Sequence, residues 1–141
     1  MSYLVWERDL DTGINVIDAQ HHRIVEMINR LHAAQGTRRH DIVSEVVEEL
    51  VDYTLFHFAF EETMIEEAGY PLTPEHKRIH DIFTAHVREL RERFRAGEDI
   101  GEELKQVLAN WLFRHIRSED KAYSETVLRH MAAAEARPAG D

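Results

Sequence analysis

Four stretches of this chain repeat apolar residues at steps of three and four, and in each of them the apolar stripe passes through a histidine. The first carries Ile17, His21, Ile24, Ile28 and Leu31. The second carries Val43, Val46, Leu50, Thr54, His57, Glu61 and Met64, the third His76, His80, Phe83, Val87, Leu90 and Phe94, and the fourth Leu104, Leu108, Trp111 and His115. This is the period of amphipathic helices, and no alternating stretch is long enough to argue for a sheet. Breakers separate the stripes at Gln35 to Arg39 around Gly36, at Gly69 to Pro74 and at Gly97 to Gly101. Thr73 with Pro74 reads as a cap and first-turn pair for the third helix, and Asp99 with Glu102 as a capping box for the fourth. Linkers this short make successive helices antiparallel neighbours. The predicted fold is therefore all-α, an up-down-up-down antiparallel four-helix bundle. At 141 residues the chain is expected to be one domain, 1–141, with a single core. Residues 1–16 form an N-terminal arm whose Tyr3, Trp6, Leu10 and Ile14 pack across the helices. A short C-terminal helix is expected at Tyr123 to His130, and the Ala, Pro and Gly of 132–141 suggest a flexible tail.

The histidines then fall into place. His21 lies near the start of the first helix, His57 and Glu61 near the end of the second, His76 and His80 near the start of the third, and His115 near the end of the fourth. In an antiparallel bundle those regions form one end. A lone histidine on an apolar stripe is as a rule a core residue satisfied by a backbone carbonyl. A set of them is different, because each buried polar group without a partner costs roughly several kcal/mol, and a metal supplies the missing partner. With Glu61 and a carboxylate at Glu119 or Asp120, five imidazoles and two carboxylates are too many ligands for one ion and about right for two. His22 lies about 100° around the helix from the His21 stripe and is set aside. His32, His40, His86 and His130 read as surface or loop residues, and Glu62, off the His57 face, as solvated. On the fourth helix Glu119 follows His115 by four residues, whereas Asp120 follows by five and in a regular helix points about 140° away. Pattern alone favours Glu119, and ligand type alone leaves iron, zinc and manganese open.

Charge and composition exclude other classes. Lys plus Arg number 17 against 27 Asp plus Glu, a net charge of −10, which repels polyanions and argues against nucleic acid and anionic membranes as partners. The same charge, with no conspicuous apolar surface repeat, leads us to expect a monomer. No cysteine is present, so disulfides, thiolate ligation and iron–sulfur clusters are out, and a reducing compartment suits the chain. Met1 to Leu10 shows no basic stretch followed by an apolar run, and no segment approaches about 18 consecutive apolar residues. The cytoplasm is the expected location, without membrane insertion.

Several strings are more particular than the stripes. Ile17-Asp18-Ala19-Gln20-His21, His57-Phe58 followed by Glu61-Glu62, His76 and His80 with Phe83, and Trp111-Leu112 with His115-Ile116 and Asp120 resemble the hemerythrin family in its bacterial form. The resemblance runs from Trp6 to Tyr123 and keeps the family's order and spacing. It implies that Asp120, not Glu119, is the carboxylate of the fourth helix. For Asp120 to reach the site a local widening of the helix is needed, so a π-type distortion is expected between His115 and Asp120. The resemblance also implies two irons, bridged by oxo or hydroxo, with His76, His80 and His115 on one and His21 and His57 on the other.

Two roughly octahedral irons offer about twelve positions: five histidines fill five, bridging Glu61 and Asp120 four, and the shared oxygen two, which leaves one open beside His21 and His57. In the family that position takes O2 reversibly. Ile24, Phe58, Trp111, Leu112 and Ile116 adjoin the ligands in sequence and would make a dry O2 pocket, besides packing the core. The function implied is oxygen transport, storage or delivery to an oxygen-using enzyme. The rival is a di-iron enzyme, a ferroxidase, peroxidase or nitric-oxide-handling protein, but five neutral imidazoles disfavour the high-valent iron that carboxylate-rich di-iron enzymes reach. Tyr123, three residues beyond Asp120, is the nearest extra redox-active group. An oxygen or iron sensing module would have to work through a separate partner.

Overall fold

A computed structural model describes residues 3–136. Five helices follow one another: α1 (Asn15–Thr37), α2 (His40–Glu67), α3 (Thr73–Arg95), α4 (Gly101–His115) and α5 (Lys121–Glu135). A π turn, Ile116–Asp120, joins α4 to α5, and a short 3-10 turn, Arg8–Leu10, lies in the arm. α1 packs on α2 and α4, α2 on α3 and α3 on α4, which closes the predicted antiparallel ring of four. The stripes explain this closure: Ile24, Ile28 and Leu31 of α1, Leu50 of α2, Val87 and Leu90 of α3, and Leu104 and Leu108 of α4 meet in one buried core. Among the described residues no helix is long and apolar enough to cross a membrane.

The helix ends depart from the sequence reading in instructive ways. α1 runs through Gly36 to Thr37, and the break falls on Arg38, a non-glycine residue held at φ 59°. Thr37 stabilises this turn by donating to Ala34 O at 2.6 Å and accepting from Arg39 N at 3.2 Å. Glycine does punctuate the next two turns. Gly69 (φ 74°) and Gly97 (φ 103°) sit just past α2 and α3, where Tyr70 N bonds Ile65 O and Glu98 N bonds Arg93 O in the left-handed helix-ending motif. Thr73 is the first residue of α3 rather than its cap, and its hydroxyl donates to Tyr70 O. The capping box expected from Asp99 and Glu102 does not form. Glu102 turns instead to Lys105 and Gln106.

The C-terminal helix is longer than Tyr123 to His130. It continues α4 through the π turn without a break and ends at Glu135, the run Ala132, Ala133 and Ala134 being good helix formers. Of the tail expected at 132–141, residues 132–135 are thus helical, and 137–141 lie outside the described residues. The described part of the arm is tied down at several points. Asn29 pairs with both backbone groups of Leu4, Leu10 and Ile14 are fully buried, and Asp18 accepts from Thr12 N, Thr12 Oγ1 and Gly13 N at the entry to α1. Trp6 stacks on His22 at 3.8 Å between ring centroids and lies 6.5 Å from the ring of His21. Arg117 of the π turn grips Asp9 and Glu7.

Candidate metal centre

The antiparallel ring brings His21, His57, Glu61, His76, His80, His115 and Asp120 to one level, all buried. Helical spacing explains two pairs directly, since His57 and Glu61, and His76 and His80, are one turn apart on their helices. The π turn explains the third. Its wider winding returns the residue five positions after His115 to the same face, so Asp120 is fully buried and 3.0 Å from His115 Nε2 through Oδ1. Glu119, the residue that a regular helix would select, keeps 31% of its side chain exposed and reaches only the outer Nδ1 of His115, at 3.5 Å.

The two carboxylates divide their oxygens between two histidine groups. Glu61 Oε1 is 2.6 Å from His76 Nε2 and 3.1 Å from His80 Nε2, and Asp120 Oδ1 is 3.3 Å from His76 Nε2. On the other side Glu61 Oε2 is 3.1 Å from His57 Nε2, and Asp120 Oδ2 is 3.1 Å from His21 Nε2. Two overlapping sets of donor atoms result, each within 4.8 Å: Glu61, His76, His80, His115 and Asp120, and His21, His57, Glu61 and Asp120.

The donors fit metal ions better than they fit one another. Both ring nitrogens of His21, Nδ1 of His115 and both oxygens of Asp120 are buried without a hydrogen-bond partner, and Nε2 of His80 faces Nε2 of His115 at 3.0 Å. Lone pairs converge where, apart from the Tyr123 hydroxyl on Glu61, no fixed protein donor answers them. Without a cation, protons must do its work. Burial pulls His21 and His76 down, but the Asp120 and Glu61 carboxylates outweigh it and raise both to about 9. Burial likewise opposes His115, which Asp120 and Glu61 raise to about 10. His57 is the exception, since burial outweighs Glu61 and lowers it. Burial and the Glu61 charge push Asp120 up, but His115 and His21 hold it below the usual carboxylate range. Divalent cations with imidazole and carboxylate ligands would displace these protons.

Around the donors the aromatic residues are unevenly spread. Phe58 stacks on His80 at 4.1 Å and Trp111 on His115 at 4.2 Å, while Phe58 also lies 6.1 Å from the ring of His57 and so reaches towards the two-histidine side. Ile24, Leu112 and Ile116 are buried in the adjoining core. Three polar residues stand beside the donors: Gln20, which the stripe reading passed over, Glu62, which it took as solvated, and Tyr123, which was singled out for its place after Asp120. Gln20 Oε1 accepts from His57 Nδ1 at 2.7 Å, from a position that Ile17 and Ile24 flank at helical steps. Glu62 is not solvated: its side chain is 22% exposed and accepts from His80 Nδ1 at 3.1 Å, because α3 packs against that flank of α2. Tyr123, fully buried, donates to Glu61 Oε2 at 3.1 Å, and burial with the neighbouring carboxylate charges raises its hydroxyl well above the ordinary range.

Fold and site together define a four-helix bundle with a two-centre histidine and carboxylate cluster at one end. Residues 12–127 match the hemerythrin HHE cation binding domain, and the chain belongs to the hemerythrin family. It is 58% identical to a bacteriohemerythrin of Pseudomonas aeruginosa over 94% of this chain and 86% of that protein. A bacteriohemerythrin of Stenotrophomonas maltophilia is 54% identical over 93% of this chain and 86% of its own. A crystal structure of wild-type hemerythrin superposes with a TM-score of 0.85 at 28% identity, covering 89% of this chain and 98% of that one.

Proposed function

We propose that this protein binds O2 reversibly at a pair of non-haem irons, to carry, store or hand on oxygen rather than to consume it. The observation that supports this most is the division of Glu61 and Asp120 between two histidine groups, since a carboxylate whose oxygens face different donor sets is suited to bridging two ions. His76, His80 and His115 would hold one iron and His21 and His57 the other. When bound, two ferrous irons would supply the electrons that O2 accepts on uptake and gives back on release.

The chain's own residues set the conditions. One imidazole fewer stands on the His21 and His57 side, so that position is the one left for an outside ligand. Ile24, Phe58, Leu112 and Ile116, all buried, and the half-buried Trp111 keep water away, and with it the protons that would turn reversible binding into reduction. Tyr123 keeps its proton and holds Glu61 Oε2 in place. In this reading residues 1–141 act as one domain, with arm 1–16 as its cover, in a cytoplasmic monomer that yields O2 to an oxygen-consuming enzyme.

Among the described residues, Tyr123 beside Glu61 is the feature that favours the rival reading, an oxidative di-iron enzyme. O2 consumption under single and multiple turnover separates the two, binding without turnover giving no sustained uptake. The direct test is to load the protein with iron, reduce it without air, and follow the visible spectrum as O2 is admitted and removed. We expect absorption that appears and disappears over repeated cycles. A sample that never colours, or colours once and stays oxidised, would count against the proposal.

A further inference from the structure

Behind the metal donors the chain places different chemistry on the two sides. His57 gives its Nδ1 proton to Gln20 Oε1, a neutral amide oxygen, at 2.7 Å, with Gln20 buried between α1 and α2. His80 gives its Nδ1 proton to the carboxylate of Glu62 at 3.1 Å, and a second carboxylate, Glu119, stands 3.5 Å from Nδ1 of His115. Either kind of acceptor fixes the proton on Nδ1 and leaves the Nε2 lone pair to the centre. They differ in charge. An imidazole that donates to a carboxylate gains electron density at its other nitrogen and becomes the stronger metal ligand, whereas an amide orients the ring without that gain.

We propose that Gln20 and Glu62 are positioning residues that make the two metal positions unequal: the anion behind His80 strengthens the three-histidine position, and the neutral amide behind His57 leaves the two-histidine position weaker, so that a divalent metal fills the three-histidine position first. This rests on the two-metal reading above. Unequal donors also suit unequal tasks. The position with carboxylates behind its histidines keeps its metal, while the other retains the Lewis acidity that draws in an outside ligand.

The test is an anaerobic titration of the metal-free protein with Co(II) alone, following the visible d–d absorption, with a competing chelator to measure the affinity of each step. Two separate steps are expected in the wild type. Glu62→Gln should weaken the tighter step by about tenfold or more and leave the other in place. Gln20→Glu, which adds the charge to the opposite side, should tighten the weaker step by a similar factor, and it tests the same claim if Glu62→Gln does not fold. A purely structural role would instead loosen both steps in both variants, so that result overturns the proposal. So do two steps that stay within about twofold of the wild type in both variants. Failure of the wild type to take up two Co(II) overturns the two-metal reading itself, which separates the two kinds of failure.

Discussion

Both ends of the bundle bury charged or polar side chains, but among the described residues only one of them gathers unpaired atoms around a common point, whereas Gln35 Oε1 and Arg91 Nε, also buried without a partner, stand singly. At the end away from the centre, Lys105 is 4% exposed, yet its Nζ lies 2.8 Å from His32 Nδ1 and 2.8 Å from Glu102 Oε2, and 4.5 Å over the ring of Tyr3. Tyr3 in turn stacks on His32, so arm, α1 and α4 close around one cation. At the other end, roughly 15 Å along α4 from Lys105, His21, His115 and Asp120 carry buried atoms with no partner. Burial alone therefore does not mark a site. A buried charge that the protein pairs by itself belongs to the architecture, while converging lone pairs that it leaves unpaired call for something from outside.

Five interventions test this contrast, beginning with the largest. Stripping metal from the loaded protein with a chelator should lower the chemical-denaturation midpoint substantially, because metal affinity at such sites, on the order of 10 kcal/mol, becomes folding energy. An unchanged midpoint would contradict the account. The metal-free protein should also show an alkaline weakness. His21 and His76, raised to about 9, and His115, raised to about 10, lie above their ordinary 6.5. Their pairing with Glu61 and Asp120 therefore stabilises fully below pH 6.5 and fades as pH rises through 9 to 10, which melting curves across that window would record.

Next in size is the choice between adjacent acids. Asp120→Asn should cost at least about tenfold in affinity for the second metal, whereas Glu119→Gln, which alters only the outer nitrogen of His115, should still take up two metals and leave the affinity of the second unchanged. Equal losses in both variants would mean that the π turn does not decide which residue ligates. At the paired end, Lys105→Met should change stability by only about 1 kcal/mol, since Glu102 and His32 are exposed enough to turn to water, and should leave metal content alone. Smallest is Arg38→Gly, which relieves the positive φ at the α1–α2 turn. It should raise stability by roughly 0.5–1 kcal/mol, read from the urea midpoint at constant m-value, again without touching the metals.

How far the residues alone reveal this molecule depends on whether a feature is periodic. The four helices and the burial of His21, His57, Glu61, His76, His80 and His115 follow from steps of three and four, because a regular helix turns spacing into direction. Asp120 breaks that rule. Its place depends on a π turn, so periodicity pointed to Glu119, and only the family strings reached Asp120 and the distorted turn together. Glu62 was illegible for another reason: it faces α3 from the flank of its stripe, and that contact is set by packing rather than by local spacing, whereas Gln20, at helical steps from Ile17 and Ile24, carried a spacing signal that its polarity obscured. Helix ends were equally elusive. The break after α1 falls within the expected Gln35 to Arg39, but Arg38 rather than Gly36 carries the left-handed conformation, because Thr37 extends α1 past the glycine and ties the turn through its hydroxyl.

The account depends most on Glu61 and Asp120 being shared between two metal ions. Iron reconstituted under reducing conditions, freed of loosely held metal and counted per chain by elemental analysis, tests it directly. Two irons per chain are predicted. One iron or none in folded, fully reconstituted protein would contradict it.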